Sequence, residues 1–270
     1  MATKIVTEES TLKLAVLIDA DNARASIIEG LLTEIASYGE AIVRRIYGDF
    51  TLSSSAQWKK VLHKHAIKPV QQFAFTTGKN ATDSALIIDA MDLLYTHRFG
   101  GFCIVSSDSD FTSLANRIRE EGLQVFGFGE KKTPEAFRNA CNKFIFTEIL
   151  KPVAQVSTNA TSTSSGKTKR AIKPLKNKEA APQEFPKEFV LEALTNSYDD
   201  TGWANLGTFG GYLAKLKPDF DSRLYGFKKL SDLVRSKSDI FEIEERINPG
   251  SNVKALYLRS RNEAVISDIS

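Results

Sequence analysis

Leu12–Asn22 reads LKLAVLIDADN, an almost wholly apolar run that closes on Asp19. A short apolar run rich in branched residues is the signature of a strand buried on both faces. An acid directly after such a strand is poorly explained by capping, so Asp19 needs another reason to be there. Working outward, five more strand-like runs follow: Ala41–Tyr47 (AIVRRIY), Ile67–Phe73 (IKPVQQF), Gly101–Ser106 (GFCIVS), Gln124–Phe128 (QVFGF) and Lys143–Thr147 (KFIFT). Helical candidates lie between them at Ala25–Ser37, Ser54–His65, Thr82–His97, Phe111–Glu121 and Pro134–Cys141. Such alternation predicts an α/β fold with a mainly parallel sheet flanked by helices. The ligand site of such a sheet lies beyond the carboxyl ends of its strands.

Three groups of acids point to that edge. Asp19 ends the first strand, Asp108 and Asp110 follow the fourth in IVSSDSDF, and Asp83 lies in the first turn of ATDSALIIDAMDLL. Carboxylates gathered at one place repel one another and hold their charge best around a divalent cation. All-oxygen ligation suits Mg²⁺ or Mn²⁺, and two distant cysteines with three histidines argue against zinc. Such a cluster can activate a water for in-line attack on a phosphodiester. Each acid also has a structural reading: Asp108 and Asp110 can cap the helix near Phe111, and Asp83 can complement a helix dipole. On a helix turning about 100° per residue, Asp89 falls about 120° from Asp83 and Asp92 about 180°. Asp92 is therefore expected to face solvent, Asp89 to make a structural polar contact, and Asp49 in YGDF to stand as an outer acid.

LIDADN, TDSALIIDA and SSDSDF, in that order, resemble the NYN domain, the LabA-like branch of the PIN-like ribonucleases. The resemblance covers roughly residues 12–150 and implies a PIN-like fold with a metal-dependent, RNA-cleaving centre. Carried over by position, it implies Asp19, Asp83 and Asp108 as metal-holding catalytic carboxylates, with Asp110 in support. It places Asn22 where it would position the substrate or the site, although Asn22 can equally cap the helix that follows. Asp19-Ala20-Asp21 also resembles the paired aspartates of haloacid-dehalogenase phosphatases, but Ala23 stands where that pattern wants Thr or Val, and no partner motif follows.

Charge divides the rest of the 270-residue chain. Residues 1–150 carry 17 basic and 18 acidic side chains, residues 151–183 carry 7 and 1, and residues 184–270 carry 12 and 14, so the excess positive charge sits in the middle. Eight of the twelve residues Ser157–Thr168 are Ser or Thr, and six basic residues follow between Lys167 and Lys178. This composition predicts a flexible linker, a solvated tether or an arm for a polyanion. Residues 1–150 and 184–270 are then the two domains.

Beyond the linker, a helix from Pro186 toward Ser197, a second at Leu206–Leu216 and a third at Ser222–Ser236 precede strand-like Ile240–Ile247 and Val253–Leu258, joined by an Asn248–Ser251 turn. The pattern predicts a small winged helix-turn-helix. Gly202-Trp203, Tyr225–Leu230 (YGFKKL) and FEIEE resemble the OST-HTH, or LOTUS, domain. The resemblance implies RNA binding or, in some relatives, a protein partner. Arg223, Lys228, Lys229, Arg235 and Lys237 are candidates to meet phosphates or, equally, to form a solvated face. Trp203 and Tyr225 could stack on bases, with core packing the competing role.

The whole reads as a ribonuclease, expected to be endonucleolytic, using Mg²⁺ or Mn²⁺ and tethered to an RNA-binding domain. The competing reading is a non-cleaving RNA-binding or adaptor protein. With no membrane-length apolar run and no signal-like N-terminus, a cytoplasmic protein is expected. The oligomeric state stays open.

Overall fold

The computed structural model describes residues 11–73, 81–150, 184–247 and 254–261. The linker at 151–183 and the Asn248–Ser251 turn lie outside the described residues.

Six parallel strands form one sheet: β1 (Lys13–Asp19), β2 (Glu40–Gly48), β3 (Lys68–Gln71), β4 (Gly101–Val105), β5 (Gln124–Gly129) and β6 (Lys143–Phe146). A helix follows each of the first five: α1 (Ile28–Ala36), α2 (Ala56–Leu62), α3 (Ala81–Leu94), α4 (Thr112–Glu120) and α5 (Glu135–Ala140). The strand order is β3-β2-β1-β4-β5-β6, so the winding direction reverses between β1 and β4. Ile18 pairs with Val105 across that boundary. A doubly wound sheet opens its ligand crevice at such a reversal, beyond the strand ends. Asp19 and the Ser106–Asp110 loop flank it.

Alternation along β1 builds the two faces. Leu14, Val16 and Ile18 pack with Ile28, Leu31 and Ile35 of α1 and Trp58 of α2. Ala15 and Leu17 pack on the other face with Leu86 and Ala90 of α3 and Leu114 and Ile118 of α4. Both faces are covered, which is why the strand is apolar throughout rather than alternating.

The second unit comprises α6 (Lys187–Thr195), β7 (Ala204–Asn205), α7 (Leu206–Leu216), α8 (Leu230–Ser236), β8 (Phe241–Ile247) and β9 (Lys254–Ser260). Its sheet, ordered β7-β9-β8 and antiparallel, packs Phe241 and Leu258 against Val190, Leu194, Phe209 and Leu213. The two-residue β7 was too short to announce itself in the sequence. The helix expected over Ser222–Ser236 is two pieces, a 3-10 turn at Ser222–Tyr225 and α8. Gly226 between them has φ +87°, a left-handed conformation that stops a helix.

The two units are packed together. The backbone N–H of Phe144 donates to the Pro218 carbonyl at 2.9 Å. Leu224 is buried in the core that covers the α3–α4 face of the large sheet, with Tyr225 against it. Arg138 pairs with the buried Asp219. The Arg223 guanidinium reaches Glu34 of α1 through two hydrogen bonds, 2.7 and 2.9 Å long. A tether alone would leave these groups in water; here carboxylates and guanidinium meet with little solvent between them.

Candidate active site

Asp19 is fully buried at the end of β1. Its Oδ1 accepts from the backbone N–H groups of Asp21 at 2.9 Å and Asn22 at 3.3 Å. Its Oδ2 accepts from the Asn22 side-chain amide and the Ser106 hydroxyl, both at 2.8 Å. Burial pushes the Asp19 carboxyl above its ordinary value, while the bonds from Asn22, Ser106 and the local backbone oppose the rise. Asn22 therefore holds the site's buried acid. It does not cap the next helix, whose opening 3-10 turn begins after Arg24.

Asp83 is brought in by its helix. With Leu86, Ala90 and Leu93 it forms the buried stripe of α3, so the packing that seats the helix turns Asp83 into the crevice. Asp89 lies off that stripe and pairs with Arg45 and the Tyr47 hydroxyl, a structural contact as expected. Asp92 is exposed, also as expected. Asp49 accepts from Thr51 and from the Gln71 side chain at 2.8 Å, tying down the loop after β2.

Asp108 caps a turn and also stands beside two other acids. Its Oδ1 accepts from the Asp110 N–H at 2.9 Å, capping the Ser109–Phe111 turn. Among the described residues, Asp83, Asp108 and Asp110 each offer a carboxylate oxygen, all within 4.8 Å of one another. Asp19 is linked to the Asp108 backbone through the Ser106 hydroxyl. Burial, then the charges of Asp19, Asp108, Asp110 and Asp21, push the Asp83 carboxyl up to about 6. Close carboxylate oxygens under mutual repulsion are the donor set that a hard divalent cation relieves, so the residues present fit Mg²⁺ or Mn²⁺.

Ser106 was not evident from the sequence. Its hydroxyl donates to Asp19 and accepts from the Asp108 N–H at 3.1 Å, joining the end of β1 to the acidic loop after β4. Its only local signal is its place between a strand and two acids. Gly129, at the end of β5, permits the arrangement, since a Cβ there would lie 2.6 Å from the Ser106 carbonyl oxygen.

The candidate phosphate contacts of the second unit behave differently from one another. Lys228 and Lys229 are exposed. Arg223 is clamped by Asp221, with Nη2–Oδ2 at 2.6 Å, and by Glu34, so its charge is spent between the units. The hydrogen bonds it donates to these acids hold its pKa above the ordinary value. Arg235 pairs with Glu245 at 2.7 Å, and the Lys237 ammonium lies 5.3 Å from the Phe185 ring centre. Tyr225 packs between Phe185 and Phe220. Guanidiniums of Arg246 and Arg259 lie over Trp203, at 4.8 and 4.7 Å.

Residues 13–150 match the NYN domain and residues 181–253 match the OST-HTH/LOTUS domain. NYN domains are typically nucleases, and OST-HTH domains bind RNA. A search of curated proteins finds no match. Among solved structures, an uncharacterised protein from Nitrosomonas europaea is 56% identical over 37% of this chain and 94% of its own, with a TM-score of 0.30. A protein from Chromobacterium violaceum is 30% identical over 31% of this chain and 87% of its own, at 0.25. A protein of unknown function from Vibrio parahaemolyticus is 17% identical over 52% of this chain and 94% of its own, at 0.43. The doubly wound sheet, its acidic crevice and the matched span agree: this chain belongs to the NYN-domain family and carries a C-terminal OST-HTH/LOTUS domain.

Proposed function

We propose that this protein is a metal-dependent endoribonuclease that cuts RNA phosphodiesters at the Asp83–Asp108–Asp110 cluster. The observation that carries the reading is the approach of those three carboxylates to within 4.8 Å at the reversal point of the sheet. Asp83 and Asp108 would hold Mg²⁺ or Mn²⁺, Asp110 would complete the donor set, and Asp19 would fix their placement through Ser106 and Asn22. When bound, the ion supplies charge stabilisation of a phosphoryl group under attack. Asp83 is held at the rim of the core, Asp108 is held by its turn, and Asp110 is exposed, where RNA would reach it. The C-terminal domain would retain RNA beside the nuclease domain, raising its effective concentration there. The domain division at 1–150, 151–183 and 184–270 belongs to this proposal.

The test incubates the purified protein with single-stranded and structured RNA in Mn²⁺, Mg²⁺ or EDTA, beside Asp108→Asn. The asparagine keeps an acceptor for the Asp110 N–H, so the turn survives while a charge is lost. Cleavage lost in EDTA and in the variant supports the assignment. If wild type and variant both bind RNA and neither cuts it with either ion, the adaptor reading replaces it.

A further inference from the structure

A cleft of about 290 Å³ lies where the two domains meet. Lys143, the first residue of β6, lines it from the nuclease domain; Lys228 and Lys229 line it from the other side. Arg223 and Asp221 also line it, but that guanidinium is already matched by Asp221 and Glu34. Those two acids outnumber the guanidinium by one, and the charge of Lys143 also acts on Glu34, so the three lysines leave the cleft a net excess of two positive charges. Neither domain suggests such a site alone, since residues 1–150 and 184–270 are each net negative. Docking is what brings Lys143 into a lining otherwise drawn from the second domain.

Two sets of ion pairs cross the docked interface. Asp219, 4% exposed, pairs with Arg138, and a second arginine bridges Asp221 to Glu34. Truncating one partner of such a pair leaves the other charge unpaired at the interface, so both pairs fix how the domains sit against each other. Lys143 is steadied within this frame, its ammonium 5.2 Å from the Tyr38 ring centre. The cleft also has apolar walls from Leu213, Phe220 and Leu230. Lysines are compact point charges suited to phosphate, and a positively charged groove that follows the backbone is the sequence-independent part of single-strand binding.

We infer that this interdomain cleft seats the sugar-phosphate backbone of single-stranded RNA, with Lys143 of the nuclease domain acting together with Lys228 and Lys229. The inference rests on the RNA-binding reading above and adds that the site belongs to neither domain alone. Lys143 opens β6, so the cleft lies toward the amino ends of the strands, off the acidic crevice. RNA is gripped at one place and cut at another.

The test titrates a fluorescein-labelled single-stranded oligouridylate with the full chain in EDTA, by anisotropy, between about 50 and 200 mM salt. Wild type is compared with Lys143→Gln and with Lys228→Gln/Lys229→Gln, after thermal melts confirm that each is folded. One lost phosphate contact on a single strand makes the slope of log K against log[salt] shallower by about 0.7, which is about fivefold in affinity at 0.1 M salt. Lys143→Gln should show that change, and the double variant a slope change of about 1.4. If wild type binds and the double variant weakens while Lys143→Gln keeps the wild-type affinity and slope, the shared cleft is overturned and RNA binding stands. The shared cleft is likewise overturned if wild type binds and no variant changes its affinity or slope. If wild type does not bind the oligomer, the RNA-binding reading and this inference fall together.

Discussion

Ser106 offers the sharpest test of how the site is held. Its hydroxyl is a donor to a fully buried carboxylate, 2.8 Å from Asp19 Oδ2, and the acceptor for the Asp108 N–H. Ser106→Ala leaves Oδ2 with the Asn22 amide alone and leaves the Asp108 N–H without that acceptor. Losing a hydrogen bond to a buried charged group costs about 1.5–3 kcal/mol. At about 2–4 °C per kcal/mol for a chain of this size, the melting temperature should fall by about 3–12 °C. The link between Asp19 and the Asp108 loop is lost at the same time. Groups that orient metal ligands typically govern affinity about 10- to 100-fold, so Mn²⁺ binding measured by titration calorimetry should weaken within that range.

A double-mutant cycle with Asp19→Asn separates this account from a general packing defect. If Ser106 acts through Asp19, the two substitutions are non-additive in stability, with a coupling of about 0.5–3 kcal/mol. Additive losses, or a Ser106→Ala protein with wild-type melting and Mn²⁺ affinity, would refute the idea that this hydroxyl ties the buried acid to the loop.

Two other outcomes follow from the C-terminal domain and its docking. Gly226→Ala places a side chain at φ +87° in otherwise open space, so its cost is conformational alone, about 1–2 kcal/mol, visible in chemical denaturation. At Glu34, burial raises the carboxyl's pKa, but hydrogen bonds from Arg223 and Tyr38 and the charge of Arg223 outweigh this and hold it below its ordinary 4.5. A depressed folded value means its contribution is complete above 4.5 and is lost as pH falls through the folded value. Small-angle scattering should therefore show the domains separating in acid below that range, and Glu34→Gln should already be looser at neutral pH.

What could be read from the chain alone was whatever the backbone neighbourhood dictates. The central strands β1 and β4 were visible because a strand covered on both faces must be apolar throughout, as Leu14–Ile18 is, whereas the edge strand β3 (KPVQ) was visible only by its place in the alternation. Asp83 was expected near the crevice from its place in the first turn of its helix, and the structure buries it on the same stripe as Leu86 and Ala90. The third helix of the second domain was read too long because its apolar spacing runs on past Gly226, and only the backbone reveals the left-handed turn. Contacts made across the chain left no such trace. Ser106 and Asp19 are 87 residues apart, and Arg223 and Glu34 are 189 apart. Summed charge concealed the second pair. Arg223 counts as one cation in a net-negative segment, and Glu34 as one anion in another, until folding sets them against each other. Once they are matched, Arg223 is engaged between the two domains. Lys143, unremarkable at the start of a strand, then supplies the charge that the nuclease domain brings to the cleft.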